Sequence, residues 1–245
     1  MKVTVVTVCL NAEASIEETI QSVINQNYDD FEYLILDGQS KDCTMKIISK
    51  YREVPYLRVR SEKDMGLYNA MNKGIELSRG EYIIFLNSGD MLVDGNVLKT
   101  VMEQASEEFV YGNVIRKYEK GMILERYSRR KNLFFLMLMG KMPCHQAIFA
   151  KRRLLEKYRF NEDYFICADF DFFVRVLKNK VKMQYVDIII SKVECVQGIS
   201  SQEANLEEMR RQDDRSIRNN FPVWYYAVQA PKRGYRIIKE LRKRK

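Results

Sequence analysis

The stretch EYIIFLNSGDML, residues 81–92, decides how this chain is read. Tyr82-Ile83-Ile84-Phe85-Leu86 is a short, unbroken apolar run, as expected of a strand buried on both faces. It stops at Asn87-Ser88-Gly89-Asp90, a tight polar turn with one carboxylate. Working outward, the same phrase occurs twice upstream. The β-branched run 3–9 leads to Asn11-Ala12-Glu13, and the run 31–36 ends at Asp37-Gly38-Gln39-Ser40. Helical periodicity fills the gaps. Ile16, Ile20, Val23 and Ile24 share one face behind Ser15 and Glu18, a spacing that predicts a capping box. Asp42 is placed to cap a helix carrying Met45, Ile47 and Ile48, and residues 67–78 predict another helix, ended by Gly80. Residues 57–60 read as a short third strand. Repeated β-α-β units of this kind predict an α/β fold with a mostly parallel sheet flanked by helices.

The second half is less regular. Residues 109–115 and 122–127 read as paired strands, 183–190 as a further strand, and Asp169 opens a helical stretch with Phe172, Phe173, Val176 and Leu177. Residues 202–219 are highly charged and helical in pattern. The expected organisation is one domain over 1–221, with a ligand-binding half (1–115) and a second half (116–221), and a helical extension over 222–245.

Apolar residues make up 46% of the 245, enough for a sizeable core. The longest apolar run, 133–139, is far shorter than a membrane span of roughly 20 residues. It reads as core, with an apolar helix beside a ligand cleft as the functional alternative. The N-terminus reads as a strand and not as a signal peptide. Five scattered cysteines, none in C-x-x-C spacing, argue against a zinc site or disulfide framework and predict a cytoplasmic setting. Net charge is +8, but residues 229–245 hold eight Lys/Arg and one Glu, or +7, which leaves +1 for the rest. That tail, with its interleaved Tyr235, Ile237, Ile238 and Leu241, suits an anionic membrane surface. Nucleic acid is not expected, because no basic groove with stacking aromatics is evident.

Ligands of open parallel sheets bind beyond the carboxyl ends of the strands, where all three polar clusters fall. Neither G-x-G-x-x-G nor G-x-x-x-x-G-K-[ST] is present, so a nucleotide would be gripped by side chains and its phosphates neutralised by a metal or by cations. A hard cation such as Mg²⁺ or Mn²⁺ typically takes one or two carboxylates plus substrate phosphates, a role open to Asp90.

The segments TVCLNAEASIEETIQSVINQNYDDFEYLILDGQSKDCT (7–44), SEKDMGLYNAMNKGIELSRGEYIIFLNSGDML (61–92), PCHQAIF (143–149) and YFICADFDFFVRV (164–176) together resemble family 2 glycosyltransferases of the GT-A fold, motif by motif and in order. The resemblance implies a nucleotide-diphosphate sugar donor, UDP by default, a divalent cation, and a saccharide or lipid-linked acceptor in surface polysaccharide synthesis. It implies Asn11, Glu13, Asp37, Asp64, Asn69, Asn72, Lys73, Asn87, Gly198 and Ser200 around the nucleotide. It further implies Asp90 at the metal, His145 and Gln146 at the acceptor, and Asp169 as the base of an inverting displacement, with Asp171 a fallback. Two departures stand out. The D-x-D pattern of the family is reduced to Asp90 alone, which opens a metal-poor alternative using Lys73, Arg129 and Arg130, and Ala168 replaces a frequent Glu. Two other readings are a sugar-phosphate nucleotidyltransferase and a non-catalytic binding protein that uses the tail; pyrophosphate release marks the first, and loss of function on removing 229–245 marks the second.

Overall fold

A computed structural model describes residues 1–127, 133–196 and 203–228. The chain runs β1 (Val3–Cys9), α1 (Ile16–Ile24), β2 (Phe31–Asp37), α2 (Thr44–Ser49), β3 (Leu57–Ser61), α3 (Leu67–Leu77), β4 (Tyr82–Phe85), β5 (Met91–Leu92), α4 (Val97–Gln104), β6 (Phe109–Tyr118), β7 (Gly121–Glu125), α5 (Leu133–Leu138), β8 (Ile148–Lys151), α6 (Arg152–Tyr158), α7 (Ala168–Lys178), β9 (Met183–Glu194) and α8 (Leu206–Asn220). A last helix, α9, spans 222–228. The strands form one sheet in the order β3-β2-β1-β4-β8-β6-β9-β5, with β7 paired to β6. Strands β1, β2, β3, β4, β6 and β9 run one way; β5, β7 and β8 run against them.

Side chains alternate across β1 because successive strand residues point to opposite faces. Val6 and Val8 enter the layer built with α3, α6 and α7, while Val3, Val5 and Cys9 enter the layer built with α1 and α4. Burying each such aliphatic side chain contributes about 1.5–3 kcal/mol, which explains why the central strands read as unbroken apolar runs.

Three local expectations are corrected. Ser15 makes no capping bond to α1; its hydroxyl bonds instead to that of Ser88, at 2.9 Å, tying the helix start to the turn after β4. Helix α3 closes at Ser78, before Gly80. Gly80 is needed for a different reason: a Cβ there would lie 2.4 Å from the Thr4 nitrogen and 2.5 Å from the Val3 carbonyl carbon, so the chain entering β4 passes against β1 with no room for a side chain. The 133–139 run is only half core, since Met137 and Leu138 are buried and Phe135 and Met139 are exposed. No helix among the described residues is long and apolar enough to cross a membrane.

Candidate active site

The site grows from the antiparallel strand β8. Tyr82 pairs with Lys151 and Ile83 with Ala150, and continuing that register puts residue 87 opposite residue 146. The 3-10 turn 145–147 that precedes β8 is thereby delivered to the carboxyl end of β4. Gln146 donates from Nε2 to Asp90 Oδ2 at 2.8 Å, and His145 Nε2 lies 3.3 Å from Asn87 Nδ2. His145 Nδ1 is 3.0 Å from Asp169 Oδ2, at the start of α7. Tyr68, from α3, shares its hydroxyl hydrogen between the Ile166 carbonyl and Asp169 Oδ1, the latter 3.0 Å away. Two adjacent side chains thus join the carboxylate after β4 to the carboxylate that opens α7.

These two acids sit in different surroundings. Asp90 is buried, and its oxygens accept from Gln146, from the Glu194 N–H (3.0 Å) and from the Asn87 N–H (3.2 Å). Burial pushes its carboxyl up to about 6, against the pull of those donors and of His145. Asp169 keeps 21% of its side chain exposed. Burial acts to raise its pKa as well, but the His145 bond and charge, the Phe170 N–H and the Tyr68 hydroxyl outweigh it and hold the group below the usual carboxylate range. An ionised, reachable carboxylate aligned by a histidine and a tyrosine is equipped to accept a proton.

The loops after β1 and β2 are stitched to each other. Asn11, with φ +49°, donates its N–H to Ser40 Oγ and accepts at Oδ1 from the Lys41 N–H, each at 2.8 Å. Glu13 accepts from the Cys43 N–H at 2.8 Å and donates its own N–H to Asp42 at 3.0 Å. Asp37 is buried beneath this loop, accepting from Ser61 Oγ (2.6 Å) and from the Ser40 N–H and hydroxyl. Asp64 closes over Gly38: a Cβ at residue 38 would lie 2.7 Å from Asp64 Oδ2.

Other expected residues are engaged with the protein. Asn72 is buried, donates to Phe160 O and Glu162 Oε1, and accepts from the Phe160 N–H. Asn69 donates to Glu162 Oε2, and Lys73 pairs with Glu62 at 3.0 Å. Together they clamp α3 to neighbouring loops. Asp171 bonds Arg175 and Ser216, both at 2.7 Å, and so pins α7 to α8. Gly198, Ser200, Arg129, Arg130 and the tail 229–245 lie outside the described residues. Sequence reasoning missed Tyr68 and Asp213. Asp213 stands beside Cys167, near Asp169; burial, and then the charge of Asp169, push its carboxyl up to about 7 despite the Cys167 contact.

Among the described residues no three His, Cys, Asp or Glu side chains cluster tightly enough to hold a metal ion. The donor set nevertheless accommodates a cation supplied with its own phosphate ligands. Asn87 Oδ1 is buried without a hydrogen-bond partner, and the hydrogen bonds to Asp90 come only from neutral amides.

Comparisons with known proteins give the class to which this fold belongs. The model of "Glycosyl transferase family 2" matches residues 4–182. The chain belongs to that family. It is 28% identical over 215 residues to a PGL/p-HBAD biosynthesis glycosyltransferase of Mycobacterium tuberculosis, covering 82% of this chain and 80% of the relative. It is 29% identical over 177 residues to GalNAc(5)-diNAcBac-PP-undecaprenol beta-1,3-glucosyltransferase of Campylobacter jejuni, covering 67% and 56%. Among solved structures, S. aureus TarS 1-349 in complex with UDP-GlcNAc superposes with a TM-score of 0.71 at 20% identity, over 90% of this chain and 68% of that one. Glucosyl-3-phosphoglycerate synthase of M. tuberculosis, in complex with Mn²⁺, UDP and glucosyl-3-phosphoglycerate, gives 0.62 at 16% identity, over 89% and 79%.

Proposed function

We propose that this glycosyltransferase moves a sugar from a UDP-linked donor to a hydroxyl of a saccharide or lipid-linked saccharide, with inversion at the anomeric carbon. The observation that carries the reading is Asp169: ionised, partly exposed, and fixed by His145 and Tyr68 at the edge where β1, β2 and β4 end. In this scheme the stitched 11–13 and 37–44 loops, with Asp37 and Asp64, receive the nucleoside. Asn87 Oδ1 and Asp90 face the diphosphate and its Mg²⁺ or Mn²⁺, which would neutralise charge on the leaving group when bound. Asp169 takes the proton from the acceptor hydroxyl as that oxygen attacks. His145 holds Asp169 in its ionised form, and Gln146 holds Asp90. The UDP preference draws on the UDP complexes of the two structural neighbours, and the lipid-linked acceptor on the undecaprenol-linked substrate named for the Campylobacter relative. The undecaprenol-linked substrate named for the Campylobacter relative and the basic tail support a role in surface glycan synthesis at the cytoplasmic face of a membrane.

The test is Asp169→Asn. Turnover is expected to fall about 10²- to 10⁴-fold, the usual worth of general-base help. The thermal shift produced by UDP and Mn²⁺ should survive. Unchanged turnover, or a product that retains the donor's anomeric configuration, would overturn the assignment.

A further inference from the structure

Two short helices carry apolar side chains out of the core. Helix α5 buries Met137 and Leu138 but leaves Phe135 59% exposed, and Met139, just past its end, is exposed as well. Helix α9 buries Tyr225 and leaves Val223 and Trp224 exposed, Trp224 to 49%. The helices touch. The Phe134 ring packs edge-on against both Phe221 and Trp224, each with centroids 5.3 Å apart, and lies beside Phe135. The exposed aromatics therefore form one surface and are not scattered singly, which is the distinction that matters for an apolar patch.

The chain on either side of this surface is basic. Arg129-Arg130-Lys131 precedes α5, separated from it by Asn132 alone, and the +7 segment 229–245 follows α9 directly. Aromatic side chains framed by Lys and Arg are the combination that enters the headgroup layer of an anionic bilayer, the rings at the acyl boundary and the cations on the lipid phosphates. Helix α5 also leads through residues 139–144 into His145, so the surface and the proposed site share one stretch of chain.

We propose that the α5–α9 surface seats the chain on an anionic lipid bilayer, with Phe135, Met139 and Trp224 entering the interface. The presentation of a lipid-linked acceptor rests on the function proposed above; membrane docking itself does not.

Trp224 is the only tryptophan in the chain, so its emission reports on this surface alone. The full-length protein is titrated with phosphatidylglycerol–phosphatidylcholine vesicles and with phosphatidylcholine vesicles. The expected result is a blue shift with the anionic vesicles only, weakened by salt. Phe135→Ser combined with Met139→Ser should weaken partitioning about tenfold or more, because each removes apolar area from the interface. Turnover on a soluble acceptor should be unchanged. Vesicle binding without a Trp224 shift would mean that the tail binds alone, and would overturn the proposal. So would a red shift, without lipid, on deleting 229–245, which would mean that the tail covers the surface in cis. Intact vesicle binding by the double Ser variant would overturn the proposal too, whereas a parent protein that docks on the vesicles as expected but turns over no UDP-sugar donor would count against the transferase reading only.

Discussion

At the scale of single residues, the site is a matter of which carboxylates are neutralised and by what. Asp169 is kept ionised chiefly by His145, so removing that partner leaves only the Phe170 N–H and the Tyr68 hydroxyl to oppose burial. His145→Gln is expected to move the acid limb of the kcat/KM profile to higher pH and to lower the plateau about tenfold; an unmoved limb would show that the imidazole does not set Asp169. Asp213 presents the opposite case. Its folded value, about 7, is raised above the ordinary carboxylate value, 3.8. Its contribution to stability is therefore fully present below pH 3.8 and lost as pH rises through about 7. Asp213→Asn should gain stability relative to the parent as pH rises from 4 to 8, by up to about 1.4 kcal/mol per unit of raised pKa, read from denaturant midpoints at each pH. The sequence made Asn87, Asp90, His145 and Asp169 visible because each falls in a short motif. Tyr68 and Asp213 had no such signal. Their partners are distant in sequence, and an aspartate in a charged helix looks like solvated surface.

At the scale of elements, the β-α-β strands and the later strands β6, β7 and β9 were legible in the sequence, while β5 and β8 were not. β1, β2, β3 and β4 follow from apolar runs and polar stops. β5 has two residues and β8 four, too short for a period to declare itself, and β8 enters the sheet antiparallel between β4 and β6. Gly80 has the look of a helix stop in the sequence and serves as a crossing point against β1 in the fold. Gly80→Ala should destabilise by about 1–3 kcal/mol in chemical denaturation, because the atoms it meets are backbone and cannot swing away. Glu81 links β1 to β8 through Lys2 (2.6 Å) and Lys151 (2.8 Å), which hold its carboxyl down at about 2. A lowered value means the contribution is present above the ordinary 4.5 and lost as pH falls through about 2. The side chain is 42% exposed, so Glu81→Gln should cost within about 1 kcal/mol at pH 7 and nothing near pH 1.5.

At the scale of the whole molecule, two apolar layers back one sheet, and the site lies along a single edge of it. On the proposed function, UDP with Mn²⁺ should slow amide hydrogen exchange in residues 10–13, 37–44 and 87–90 and leave the β6–β7 hairpin, residues 109–125, unchanged. Protection confined to the hairpin would place the ligand elsewhere. The alternation of the first half announced the sheet; the composition of the second half could not announce that its strands would complete the same sheet. That arrangement has a consequence for synthesis. A nascent chain released at residue 140 carries β4 with one flank bare in the middle of what should be continuous pairing, and nothing later to fill it. The ribosome must deliver residues 148–151 before the centre can close, so premature termination yields a sticky fragment and not a smaller working enzyme.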